Sequence, residues 1–366
     1  MDPLRHVKPA VRGLAAYTLA LREAPVKLNQ NENPWDLPEP VKRRVLERAL
    51  ARPWNRYPDF DPRELIEALA DFSGWRADGI LAGNGSNELI EALLLVTVGT
   101  GTRVVIPEPT FTLYALITTI LGGEPVRVRL GPGFAYELEA LLAARRASGA
   151  SVTIVCSPNN PTGTSLPLAD IERLCDADDS LVVVDEAYHE FAGESVLPLL
   201  ARHPNLVVLR TFSKALALAG LRVGYLLASP ELVREVNKAR LPYNLNFFSQ
   251  AAALAALEQR DLLSDSVRRL VGEREGLLAR LADVPGVRAW PSRANFFLLE
   301  LISADPKAVF AALLRRGVLV RDVTPYPLLS RCLRVSVGSE QQNEDFLRAL
   351  GTALGEAGQD VSRGRA

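Results

Sequence analysis

Lys214 is poorly placed for solubility alone. It lies in the stretch Thr211-Phe212-Ser213-Lys214-Ala215-Leu216-Ala217-Leu218-Ala219-Gly220-Leu221-Arg222, after the apolar run Leu206–Leu209. That run predicts a buried strand. At a strand end among small and apolar residues, desolvation favours the neutral amine, and a neutral amine forms a Schiff base with an aldehyde. The hydroxyls of Thr211 and Ser213, with the Arg222 guanidinium eight positions beyond the lysine, are groups that hold a phosphate. A phosphate-bearing aldehyde bound by a lysine describes pyridoxal phosphate (PLP). The plainer alternative is a strand-end lysine beside helix-start hydroxyls, since short motifs also match by chance.

Three further motifs stand at strand ends. Leu181-Val182-Val183-Val184-Asp185-Glu186-Ala187-Tyr188 is an apolar run closing on a carboxylate, with a phenol three residues later. It predicts a central parallel strand with function at its carboxyl end. Asp185 suits the anion that keeps a pyridine nitrogen protonated, so that the ring withdraws electrons, and Tyr188 suits a donor to the ring's 3′ oxygen. An acidic helix cap followed by a core tyrosine would give the same letters. Ser157-Pro158-Asn159-Asn160-Pro161-Thr162-Gly163 follows the run Val152–Cys156; Asn160, kept out of helix geometry by the next proline, is a second donor to the 3′ oxygen, although Asn-Pro turns are common. Ala82-Gly83-Asn84-Gly85-Ser86-Asn87-Glu88 opens a helical pattern. Its glycines leave backbone N–H groups free for an anion at the helix start, with Ser86 and Asn87 beside it.

In this order, the glycine turn, Asn-Pro-Thr-Gly, Asp-x-x-Tyr, Ser-Lys and the arginine after it resemble the fold-type I (aspartate aminotransferase-like) PLP enzymes over nearly the whole chain. Within them the chain is similar to the histidinol-phosphate aminotransferases. The resemblance to these rests on Asn29–Pro34, Asn55–Asp59, Ala219–Tyr225, Val320-Arg321-Asp322 and Leu333–Gly338.

The resemblance implies a PLP-dependent exchange of an amino group between L-histidinol phosphate and 2-oxoglutarate, with Lys214 as both cofactor anchor and proton carrier and Asp185 and Tyr188 as its catalytic partners. It places Gly85, Ser86, Asn87, Phe111, Asn160, Asp185, Tyr188, Thr211, Ser213 and Arg222 around the cofactor, Phe111 by stacking, where relatives often carry tyrosine. It places Tyr57 at the phosphate of a neighbouring subunit, implying a homodimer with shared sites. Tyr17, Asn33, Arg321 and Arg334 are implied as substrate-binding residues, with the two arginines dividing the substrate's anionic ends in a way left open. Tyr17 and Tyr243 are candidates for the imidazole pocket. A broad aromatic aminotransferase and a threonine-phosphate decarboxylase-like enzyme use the same frame. A PLP-sensing transcription regulator would need a DNA-binding domain where only about forty residues precede the first core helix.

Composition is consistent with a small-molecule enzyme. The 366 residues carry 42 Lys+Arg against 43 Asp+Glu, a net charge of −1, so no global field draws the chain to nucleic acid or a membrane surface. Cys156, Cys175 and Cys332 lack metal-ligand spacing, so no metal site is expected, and their odd, sparse count suits reduced thiols in the cytoplasm. The first residues do not read as a signal peptide, and no run reaches the ~20 apolar residues of a membrane span.

The elements that must position these residues follow from hydrophobic periodicity. Strand-like runs at 103–106, 125–130, 152–156, 181–184, 206–209 and 223–227 alternate with helical patterns. This predicts an α/β fold with a mainly parallel sheet flanked by helices. A helical stretch over 249–281 leads to a smaller α+β region, with strands at 296–299, 318–320 and 333–337 and helices at 307–316 and 340–354. The expected division is a large PLP-binding domain at 41–248 and a discontinuous small domain at 1–40 and 249–366.

Overall fold

Each apolar run in the first two thirds of the chain becomes a strand, and each amphipathic stretch becomes a helix lying over it. The computed structural model describes residues 2–16, 18 and 22–363, so Tyr17 lies outside the described residues. The single turn α1 (Pro9–Arg12) precedes β1 (Val26–Lys27). Next come α2 (Glu39–Leu50), α3 (Arg63–Ser73), β2 (Ile80–Gly83), α4 (Ser86–Thr97), β3 (Arg103–Glu108), α5 (Leu113–Leu121), β4 (Glu124–Arg129) and α6 (Leu138–Ser148). The alternation continues with β5 (Val152–Cys156), α7 (Leu168–Asp176), β6 (Leu181–Asp185), the short α8 (His189–Ala192), β7 (Leu206–Thr211), β8 (Gly224–Leu227) and α9 (Pro230–Asn237).

β2 to β8 form one seven-stranded sheet in the order β2-β8-β7-β6-β5-β3-β4. β4, β3, β5, β6 and β7 run parallel; β8 is antiparallel to both of its neighbours. Successive residues of a strand serve opposite faces. Val182, Val184, Leu206 and Val208 join the core beneath α2, α3, α6, α7 and α10 (Phe247–Glu258). Val183, Val207 and Leu209 join the core beneath α4, α5 and α9. Both faces are therefore covered, which is why these strands read as continuous apolar runs. β2 is absent from the sequence reading; its four residues are too few to show a period.

The expected boundary at residue 248 falls inside α10, whose run Ala251–Leu257 packs in the large sheet's core against α2 and α3. Beyond it come α11 (Arg260–Ala282), β9 (Val287–Ala289), β10 (Phe296–Leu301), α12 (Pro306–Arg315), β11 (Val318–Leu319), β12 (Arg321–Asp322), β13 (Cys332–Ser336) and α13 (Glu340–Arg363). The second sheet is antiparallel in the order β12-β13-β10-β9. The strand expected at 318–320 is two strands in two sheets. β11 pairs in parallel with β1, tying the N-terminal segment to this region, while β12 pairs with β13 and so presents Arg321 opposite Arg334. No helix of the described residues is long and apolar enough to cross a membrane.

Candidate active site

In open α/β sheets, ligands bind beyond the carboxyl ends of the strands. Here β5 ends at Cys156, β6 at Asp185 and β7 at Thr211, and those ends open into a cavity of about 290 Å³. Ser86, Asn87, Phe111, Asn160, Asp185, Tyr188, Thr211, Ser213, Lys214, Arg222, Arg321 and Arg334 all line it. One fold thus gathers residues that are widely separated in sequence. A second chamber of about 550 Å³ shares Phe111, Arg321 and Tyr326 with the first.

Lys214 follows β7 and is part-buried, with Nζ donating to the Gln30 carbonyl at 2.9 Å. Burial, then the nearby Arg334 and Arg222 guanidiniums, hold its pKa down to about 8, with Glu32 opposing. An amine in that range is neutral in a sizeable fraction of molecules near physiological pH, as nucleophilic chemistry requires. Beside it, Thr211 Oγ1 donates to Ser213 Oγ at 3.0 Å, and Arg222 Nη1 donates to the same oxygen at 3.0 Å.

The start of α4 completes that corner. Its first turn has no side-chain cap, so its N–H groups can receive an anion. Gly85 stands at φ +78°, and a Cβ there would fall 2.5 Å from Arg222 Nη2. A Cβ at Gly224 would fall 2.3 Å from Ser86 N. Glycine at both positions lets β8, Arg222 and the start of α4 close into one cradle of hydroxyls, N–H groups and one guanidinium. Gly85 itself does not line the cavity; it shapes the cradle from behind.

At the end of β6, Asp185 is 3% exposed. Its Oδ1 accepts from Ala187 N at 3.0 Å and its Oδ2 from Tyr114 Oη at 2.6 Å. Burial raises its pKa, with the Tyr114 and Ala187 hydrogen bonds pulling it down. A buried carboxylate whose ionic form is disfavoured is a site for a cation. Tyr188 Oη accepts from Asn31 Nδ2 at 3.0 Å. Asn160 Oδ1 accepts from Arg334 Nη1 at 2.6 Å, and the Asn29 carbonyl accepts from Arg334 Nη2 at 2.7 Å.

Asn33 does not reach the cavity: its Nδ2 donates to the Ala215 carbonyl at 3.3 Å and to Ser266 Oγ at 3.0 Å. The chain turns at Asn31, which has φ +55°, and this carries Asn33 off to the far side of the Lys214 loop. The N-terminal residues at the site are Asn29, Gln30 and Asn31. The motif does reach the site, but through a different asparagine. Tyr114, Cys156, Val323 and Tyr326 also line the cavity without having been singled out in the sequence. A tyrosine three residues after Phe111 on a helix is the available signal for Tyr114. Tyr57 and Tyr243 stand outside the cavity of their own chain, stacked on one another with centroids 4.5 Å apart.

Residues 23–350 match the family model of the aminotransferases of class I and II. The chain belongs to that family. A histidinol-phosphate aminotransferase of Chlorobium phaeovibrioides is 40% identical over 351 residues, covering 95% of this chain and 97% of its own. Its counterpart in Chlorobaculum tepidum is 39% identical, covering 94% and 99%. The crystal structure of histidinol-phosphate aminotransferase from Sinorhizobium meliloti, solved with pyridoxal-5′-phosphate, superposes with a TM-score of 0.87 at 27% identity, covering 96% of this chain and 98% of that one. For an aminotransferase, the cradle around Arg222, the carboxylate at Asp185 and the reactive amine of Lys214 all line one cavity. This set of donors fits a phosphorylated pyridine aldehyde.

Proposed function

We propose that this aminotransferase uses pyridoxal phosphate to exchange the amino group of L-histidinol phosphate with 2-oxoglutarate, giving imidazole-acetol phosphate and glutamate in histidine biosynthesis. Near-full-length identity of about 40% to curated enzymes of that name supports it. The observation that carries the substrate assignment is the pair Arg321 and Arg334, cross-strand partners that both line the cavity. Two convergent guanidiniums suit a near-dianionic phosphate ester, and in the other half-reaction the carboxylates of glutamate.

When bound, pyridoxal phosphate supplies an aldehyde for the amine and a ring that withdraws charge from the substrate's α-carbon. Thr211, Ser213, Arg222 and the first N–H groups of α4 would hold the phosphate. Asp185 would provide the anion for the ring nitrogen, Phe111 a face for the ring, and Tyr188 and Asn160 hydrogen-bonding groups for the ring oxygen. Lys214 would anchor the aldehyde, and its Nζ would serve as the base that takes up and gives back the proton of the substrate's α-carbon. Arg334 and Arg321 orient the substrate so that this proton faces Lys214.

The working unit is a homodimer in the cytoplasm, in which Tyr57 reaches the phosphate cradle of the second copy. The exposed patch of Trp54, Tyr57, Phe60, Leu241 and Tyr243 supports this, since so many large apolar side chains in one place mark an interface. The larger of two domains runs from residue 41 to the end of α10, and the smaller comprises the N-terminal segment and the chain from α11 onward. A donor screen with 2-oxoglutarate tests the function: histidinol phosphate is expected to give the highest kcat/KM. If phenylalanine or tyrosine outperforms it, the enzyme is an aromatic aminotransferase instead.

A further inference from the structure

Tyr114, on α5, is fully buried and contributes to the lining of the cavity. Its hydroxyl donates to Asp185 Oδ2 at 2.6 Å, while Ala187 N approaches Oδ1 at 3.0 Å. Each carboxylate oxygen therefore has one fixed donor, and these come from different segments, so the carboxylate cannot rotate without breaking one of them. The same tyrosine ring meets Phe111 edge-on, with centroids 5.6 Å apart and planes at 83°. Its backbone carbonyl accepts from Thr118 Oγ1 at 2.7 Å within the helix. Phe111 and Asp185 reach the cavity from the ends of different strands, and Tyr114 touches both.

We propose that Tyr114 is a positioning residue that locks the Asp185 carboxylate and the Phe111 ring into one rigid unit facing the cofactor ring. This rests on the aminotransferase reading above. The physical case is the cost of its absence. Phenylalanine at 114 would keep the ring contact but leave the buried Oδ2 without its hydroxyl donor, and an unsatisfied charged acceptor is costly there. The carboxylate would then turn or take up a proton, and either change weakens its hold on a protonated ring nitrogen. Burial already disfavours the ionic form, and the Tyr114 hydroxyl is the largest influence opposing it.

The test is a double-mutant cycle read by cofactor binding. Cofactor-free wild type, Tyr114→Phe, Asp185→Asn and the double variant are titrated with pyridoxal phosphate. Affinity is followed by the absorbance of the lysine-bound chromophore, whose pH titration is recorded as well. With Asp185 in place, Tyr114→Phe is expected to weaken binding about tenfold or more, to shift the chromophore's pH titration, and to lower kcat more than it raises KM. In the Asp185→Asn background, with no charge to hold, the same change is expected to cost less than about threefold. Equal losses in the two backgrounds would reduce Tyr114 to a packing residue and overturn the proposal, as would wild-type affinity with an unshifted titration in Tyr114→Phe. Should Tyr114→Phe not fold, Tyr114→His keeps a ring with an N–H donor; affinity within a few-fold of wild type supports the proposal, and a tenfold loss in the folded variant overturns it. If wild type itself takes up no cofactor, the functional reading fails rather than this inference alone.

Discussion

Arg321 and Arg334 sit directly opposite one another across the β12–β13 pair. Residues so placed project to the same face, and like charges there repel. Both line the cavity that holds Lys214, so a phosphate or carboxylate bound beside them, as proposed above, would lessen that repulsion. On the proposed function, such a pair would favour anionic ligands.

Arg321→Ala is therefore expected to lower kcat/KM for histidinol phosphate by about tenfold or more, the equivalent of one charge-assisted contact at ~1.5–3 kcal/mol. Phenylalanine, with no second anion, should lose much less. Steady-state kinetics with both donors decide the matter. An unchanged ratio between them would clear Arg321 of any part in selectivity.

Lys214→Ala should abolish turnover and the borohydride-trapped cofactor adduct together, since in the proposed function one amine anchors the cofactor and carries the proton. The rate at which cofactor-free wild type captures pyridoxal phosphate should rise with pH, because only the neutral amine attacks. Its midpoint should lie near 8 rather than the ordinary lysine value of 10.5. Stopped-flow absorbance across pH 6 to 11, a range of roughly two units or more about that midpoint, gives it. A midpoint near 10.5 would contradict the burial argument.

Asp185→Asn should act in opposite directions on the two forms of the protein. Burial raises the Asp185 pKa above its ordinary 3.8. A carboxyl raised in the folded state costs nothing where both states are protonated, and costs stability once pH exceeds the unfolded value. Without cofactor, the variant should melt above wild type at neutral pH, with the difference vanishing in strong acid. With cofactor the order should reverse, and kcat should fall by about a hundredfold or more. Scanning calorimetry with and without pyridoxal phosphate is the measurement.

Mixing inactive Lys214→Ala subunits with inactive Tyr57→Ala subunits should restore activity, because a hybrid dimer contains one site with both residues intact. Sedimentation should show a dimer at the assay concentration. A fully active monomer in dilute solution would remove the shared-site proposal.

The chemistry-bearing residues that stand at the ends of long apolar runs are legible in the sequence. Lys214, Asp185, Asn160 and Arg222 are each announced by a strand-like run or a nearby turn, because strand burial and turn geometry are local requirements written in consecutive residues. The mainly parallel large sheet follows from the same runs. Strand order, the reversal of β8 and the division of 318–322 between two sheets are not legible, since they depend on which distant segment each strand meets. The choice among the asparagines of 29–33 turns on one positive φ at Asn31, which no spacing rule specifies. The placement of Tyr114 against Asp185, 71 residues apart, and of Arg321 against Arg334 is decided only by tertiary structure. In both cases the partners come from different elements, and a contact between elements is set by packing rather than by any pattern within either one.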